Sequence, residues 1–359
     1  MYGRDRLRDA RVMVVGCGAL GNEVLKNLAL CGVGHIFCVD SDRVEAGNLS
    51  RSVLFRPADA ESGRSKVDVV RERLLELDSS IDIHTIEGDI AYDVGLGLIR
   101  SMDVVVSCVD SRWARFMINR HCIRMNIPWV DGGISVSEGT ARVFFPKDNC
   151  YACGLDPEAL SQLKRRVSCS NTIAVAQKAV SAPTTSITAS IVGAVQAQEA
   201  MRIICGDCCA DGKMFFYDGD VPKAGIAEFR SYDDDCPEHE VWQPVGKSDF
   251  TVNMAVSDFL DAVGREKGEE LSIILRDDVF VDYIESRTDG RHYRIMRPGR
   301  CVSGNIPEGM NPDDFYQNEF RTIDRNFPYA GLTLAELGVP KGDVLHLRGL
   351  EQDFYIELV

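Results

Sequence analysis

The amino-acid sequence predicts an α/β protein in which a doubly wound, mostly parallel sheet is followed by a smaller α+β module. Three observations predict it. From Arg11 to about Phe145, short apolar runs alternate with longer helical stretches, and strands separated by such helices imply a parallel sheet. The first turn carries Gly16, Gly18 and Gly21 in "GCGALG". Past "QPVGKS", residues 243–248, the pattern changes to short strands around a helix. A length of 359 residues suits two domains.

The strands expected in the first domain are "RVMVVG", "HIFCVD", "DIHTIEGD", "MDVVVSCVD", "PWVDGGIS" and "GTARVFF". Helices are expected in "GNEVLKNLALCG", "SKVDVVRERLLELD" and "SRWARFMINRHCIRMN" between them. Residues 154–183 are polar and irregular and read as a loop crossing the surface. Next comes "TTSITASIVGAVQAQEAMRIIC", a long helix whose Ala, Gly and Ser content suits close packing, then the strand "MFFYDG" and the extended "AEFRSYDDDC". Residues 1–242 are the first domain and 243–248 a linker. Residues 249–359 form the α+β module, with "VSDFLDAVGRE" helical and "LSIILR", "VFVDYIES", "HYRIMR", "VLHLRG" and "FYIELV" as strands.

Composition excludes several classes. There is no run of eighteen apolar residues and the opening "MYGRDRLRDA" is rich in charge, which argues against a membrane span or signal peptide and for a cytoplasmic protein. A net charge of −15 argues against broad binding to nucleic acid or anionic membranes. Of thirteen cysteines, Cys17, Cys31, Cys38, Cys108 and Cys122 lie in apolar patterns and read as buried structural thiols. Cys150 with Cys153, Cys169, Cys205 with Cys208 and Cys209, Cys236, and Cys301 need another account.

Gly16, Gly18 and Gly21 form G-x-G-x-x-G between a strand and a helix, and Asp40 ends the second strand about twenty residues on. This Rossmann-like arrangement lets backbone approach phosphate at a helix N-terminus, with an acid for a ribose hydroxyl. The glycines serve any phosphate; the residues beyond Asp40 favour a triphosphate over a nicotinamide. Asn48, Arg51 and Lys66 stand there, and Arg and Lys neutralise phosphates and a departing pyrophosphate. Asp110 ends the strand "VVVSCVD", where open α/β sheets bind ligands and where one carboxylate can hold Mg²⁺. Arg51 or Lys66 alone reads equally as a solvated rim charge; the set does not.

"GCGALG", "VDSDRVEAGNLSRSVLF", "DAESGRSKV" and "CVDSRWARFMINRHC" together resemble the adenylation domain of the ubiquitin-activating family, over about residues 10–240. That family includes activators of molybdopterin and thiamine synthesis and of ubiquitin-like proteins. The resemblance implies that Asp40 and Asp42 belong to the ATP site with the three glycines. It implies that Asn48, Arg51 and Lys66 hold phosphates and that Asp110 binds Mg²⁺. The implied reaction is adenylation of a protein's C-terminal glycine carboxylate, with pyrophosphate released. It further implies paired adenylation folds, as homodimer or heterodimer, with Arg4, Arg6 or another subunit's arginine reaching across to ATP.

"CYAC" offers Cys150 and Cys153 as metal ligands, with "CPEH" (Cys236, His239) or "CGDC" (Cys205, Cys208) to complete the set. The resemblance favours Cys150, Cys153, Cys236 and His239, and four protein ligands make a zinc ion structural. Cys169 comes after the basic Lys164, Arg165 and Arg166, which favour a thiolate, and precedes Pro183-Thr184-Thr185. The family's thioester-forming members place a cysteine here. "LTLAELGVPKGDVLHLRG" is similar to the ubiquitin-fold domain that recruits a conjugating enzyme. The reading is therefore an ATP-dependent activating enzyme for a ubiquitin-like protein, with Cys169 as acceptor and a conjugating enzyme as downstream partner. The alternatives are a sulfur-carrier adenylyltransferase of the thiamine, molybdopterin or tRNA-thiolation type, and a non-catalytic scaffold subunit of a heterodimer.

Overall fold

A computed structural model describes residues 4–168, 184–207, 212–228, 232–275, 277–306 and 310–359. Described residues within 1–93, 99–155 and 179–241 form one compact unit, and those within 94–98, 156–178 and 242–359 a second.

The strands of the first unit are β1 (Arg11–Val15), β2 (His35–Val39), β3 (Asp82–Ile86), β4 (Val104–Ser107), β5 (Trp129–Ile134), β6 (Glu138–Phe144), β7 (Lys213–Asp218) and β8 (Lys223–Glu228). They make one sheet in the order β3-β2-β1-β4-β5-β6-β7-β8. The first five strands run parallel; β6, β7 and β8 continue antiparallel. The valine-rich β1 and β4 are buried almost throughout, as strands covered on both faces must be. Among the described residues the helices are α1 (Arg4–Asp9), α2 (Ala19–Leu30), α3 (Pro57–Glu61), α4 (Lys66–Leu77), α5 (Leu96–Arg100), α6 (Arg112–Met125), α7 (Pro157–Ser168), α8 (Ser186–Cys205) and α9 (Val256–Lys267); α7 and α9 belong to the second unit, and the residues of α5 are divided between the two.

Chain order reverses between β1 and β4, the switch point at which open α/β sheets take their ligands. Two glycines are fixed there by space. Gly16 has φ +91°, and a Cβ on it would stand 2.6 Å from the Cys108 carbonyl oxygen at the end of β4. A Cβ on Gly21 would fall 1.9 Å from the Gly16 carbonyl oxygen. The small residues of α8 bring it close to α2, where a Cβ on Gly193 would reach within 2.8 Å of the Glu23 Cβ.

In the second unit, Val256, Phe259, Leu260 and Val263 place one apolar stripe of α9 in a core with Ile273, Leu345, Leu347 and Ile356. Its five-stranded sheet runs β14 (Thr322–Ile323), β10 (Ser272–Ile274), β15 (Val344–Arg348), β16 (Asp353–Glu357), β9 (Val245–Lys247). Between β10 and β14 the chain inserts a three-stranded sheet of β11 (Phe280–Ser286), β12 (His292–Pro298) and β13 (Phe315–Phe320). That sheet has its own small core of Val281, Ile284, Ile295, Val302 and Phe315.

Three expectations change. Residues 243–248 are no free linker: β9 lies within them and pairs in parallel with β16, Tyr355 opposite Val245. The segment expected to be irregular from 154 contains the helix α7, with Leu160 and Leu163 three residues apart. Cys31 is exposed, not buried, because it lies one residue past the end of α2, where the chain turns into Gly32. Among the described residues no helix is long and apolar enough to cross a membrane.

Candidate active site and metal cluster

The loop after β1 is held by Asp40. Its Oδ2 accepts from the Cys17 amide at 2.6 Å and its Oδ1 from the Asp42 amide at 2.8 Å. Burial pushes the Asp40 carboxyl up, and the Lys66 ammonium at 4.0 Å opposes that rise. Lys66, at the start of α4, lies 2.8 Å from Asp42. Burial disfavours its charge, but Asp40 and Asp42 outweigh burial, so its pKa is raised and the ammonium persists. A side chain on Gly18 would meet no atom within 4 Å, so packing does not demand glycine there. Gly18 begins α2 with no side-chain cap, leaving backbone N–H groups available to a phosphate. That pattern fits a nucleotide phosphate.

The other expected residues are placed as follows. Asn48 Oδ1 accepts from the Glu45 amide at 2.9 Å and closes a short turn, and the Arg51 amide donates to the Asn48 carbonyl at 3.1 Å. Among the described residues the Arg51 guanidinium meets no carboxylate. Asp110 is exposed just beyond β4, beside Ser111, the N-cap of α6. Cys169 lies outside the described residues. So does Cys208, while Cys205 ends α8 and its carbonyl accepts from Arg6 at 2.7 Å. The Arg4 side chain also lies outside what the structure describes.

Two largely buried groups were not anticipated. Arg115, on α6, donates to Asp131 Oδ1 at 2.9 Å and to the carbonyls of Val109 and Gly132, each at 2.8 Å. Gln196, on α8, donates to the Ser107 carbonyl at 2.8 Å. A usable signal was Asp131, an acid inside the apolar strand "PWVDGG". A carboxylate buried there requires a cation.

A second cluster lies elsewhere in this unit. Cys150, Cys153, Cys236 and His239 bring their ligand atoms within 4.8 Å of one another. Cys150 Sγ is 3.6 Å from Cys153 Sγ and 3.7 Å from Cys236 Sγ, and Cys153 Sγ is 3.3 Å from His239 Nε2. A tetrahedron with zinc–sulfur bonds of about 2.3 Å has edges of about 3.8 Å, so three sulfurs and one imidazole at this spacing fit a closed zinc site. Hydrogen bonding from Cys150 pulls the Cys153 thiol down to about 5 and pushes Cys150 up. The His239 ring stacks on Tyr232 with centroids 4.5 Å apart.

The pattern of the ThiF family matches residues 1–238, well over half of the chain. The chain belongs to the ThiF family. A relative from Culex quinquefasciatus, "Adenylyltransferase and sulfurtransferase MOCS3", is 31% identical over 66% of this chain and 51% of its own length. The "Molybdopterin-synthase adenylyltransferase" of Salmonella typhimurium is 32% identical over 60% of this chain and 82% of its own. The "SAMP-activating enzyme E1" of Haloferax volcanii is 31% identical over 66% of this chain and 82% of its own. The chain thus spans about half the length of the first of these relatives. Among solved structures, E. coli MccB with ATP aligns at TM-score 0.52 and 24% identity, over 65% of this chain and 68% of that one, which speaks for the fold.

Next to the cluster, Arg120 of α6 grips Glu238 through Nε at 2.7 Å and Nη2 at 2.9 Å. Both side chains are largely buried. Arg120→Ala leaves the Glu238 charge buried, and breaking such a pair costs about 3–5 kcal/mol. We expect the melting temperature to fall by roughly 10 °C; a calorimetric scan showing no fall would mean that solvent reaches Glu238.

Proposed function

We propose that this chain adenylates the C-terminal glycine carboxylate of a small carrier protein of the sulfur-carrier or ubiquitin-like class. The glycine loop, Asp40, Lys66 and the Asp110 end of β4, converging on one switch point, carry the reading. Bound ATP would supply the adenylyl group, and Asp110 would hold the Mg²⁺ that offsets the charge of its phosphates. A carboxylate oxygen of the carrier attacks the α-phosphorus, the α–β anhydride bond breaks, and pyrophosphate leaves. Arg51 and Lys66 balance the charge on the leaving pyrophosphate. No general base is needed, since the attacking group is already an anion, so positioning and charge neutralisation supply the catalysis.

The names of the relatives favour the sulfur-carrier class over a conjugation cascade. A thioester on Cys169 and delivery to a conjugating enzyme is the second reading, kept by the relative named an activating enzyme E1.

Labelled pyrophosphate exchange into ATP is the test, run with a sulfur carrier and with a ubiquitin-like protein, each ending in glycine. Exchange is expected with at least one, and not with the same protein lacking its last glycine. Silence with both defeats the proposal. A thiol-reversible adduct on a non-reducing gel that vanishes in Cys169→Ala selects the second reading; exchange without an adduct selects the first.

A further inference from the structure

Arg115 sits where it can govern the Asp110 carboxylate without touching a ligand. Asp110 comes directly after Val109, and the Val109 carbonyl is one of the three acceptors that Arg115 holds. The other two, Asp131 Oδ1 and the Gly132 carbonyl, belong to β5. The guanidinium therefore pins the last turn before Asp110 to the neighbouring strand. Nε and Nη2 work at the same time on acceptors from two chain segments. Asp131 is itself fixed: it is 1% exposed and also takes Ser107 Oγ at 3.3 Å. Gln196 adds a tie two residues before Val109, at the Ser107 carbonyl. The end of β4 is thus held from β5 and from α8, while Asp110 itself stays exposed.

We propose that Arg115 is a positioning residue whose three-point clamp on Val109, Asp131 and Gly132 sets the Asp110 carboxylate for Mg²⁺ on the nucleotide. This rests on the adenylation reading. Its physical basis is that outer-shell groups orient metal ligands, and losing one costs about 10–100-fold in metal affinity or activity. Charge alone does not replace the clamp. Lysine restores a cation opposite Asp131, but through one nitrogen, and so cannot reproduce the fork.

The experiment measures ATP binding to the full chain by equilibrium dialysis, once with Mg²⁺ and once with EDTA. The ratio of the two Kd values reports the metal's contribution; the Kd in EDTA reports the glycine loop. Arg115→Lys is expected to reduce the ratio about tenfold with the Kd in EDTA unchanged. Asp131→Asn, which keeps the side-chain size, should move it in the same direction by less and serves if the lysine variant does not fold. Equal weakening in both media means a structural role only and overturns the proposal, as does a lysine variant with the wild-type ratio. A wild-type ratio of one overturns it together with the metal role of Asp110. No ATP binding by wild type in either medium removes the adenylation reading itself.

Discussion

Asp110→Ala is expected to reduce carrier-dependent pyrophosphate exchange at least about a hundredfold. The side chain is exposed at the end of β4 and caps nothing: Ser111 supplies the N-cap of α6. Its loss therefore leaves packing intact, and the variant should melt within about a degree of wild type, as surface changes away from special contacts do. What it loses is, among the described residues, the one carboxylate at the switch point that the protein does not itself consume. Asp40 is committed to the Cys17 and Asp42 amides, and Asp42 to Lys66. The deficit should appear as weaker binding of ATP with Mg²⁺ and slower exchange, and raised Mg²⁺ should not restore it fully. Exchange within a few fold of wild type would remove Asp110 from the mechanism and leave Arg51 and Lys66 to carry the phosphates.

The glycine turn after β1 was legible because local sterics dictate it. At Gly16 and Gly21 nearby carbonyl oxygens leave no room for a Cβ, and a strand–glycine–helix pattern announces that contact in a dozen residues. Lys66 was read from the sequence as a cation for phosphate; in the structure its ammonium lies 2.8 Å from Asp42. Arg115 and Asp131 were not legible, since their contact joins a helix to a strand sixteen residues on and leaves no periodic trace. Short or polar elements also escaped. The three residues of β9 include a glycine and find their partner strand more than a hundred residues later. The helix α7, "PEALSQLKRRVS", is mostly polar and reads as loop unless its leucine spacing is weighed. The clustered cysteines stood out as candidate metal ligands, but choosing Cys236 and His239 over Cys205 and Cys208 required the resemblance. In the structure Cys205 belongs to the end of α8, packed against the main core.

The largest expected loss of stability comes from that cluster. Purified wild type should carry about one zinc ion per chain, and Cys150→Ser should bring that close to zero while Cys205→Ser leaves it unchanged. Cys150 is the hub: its sulfur lies against both Cys153 and Cys236. Without the metal, buried sulfurs bunch together with only weak S–H hydrogen bonds. The segment carrying Cys236 and His239 is then held by Arg120 on Glu238, while the stacking of His239 on Tyr232 stays within the segment itself. Structural zinc contributes folding free energy outright, about 10–16 kcal/mol in small zinc-dependent peptides. Here a large core shares the load, so several kcal/mol and a melting temperature lower by at least about 10 °C are expected. EDTA should produce the same fall in wild type and none in Cys150→Ser, since the two treatments remove the same thing. Exchange activity measured well below the new melting temperature should persist, because a closed four-ligand site leaves no position for substrate. Zinc retained in Cys150→Ser, or activity lost in step with the metal at low temperature, would make the cluster something other than a structural site.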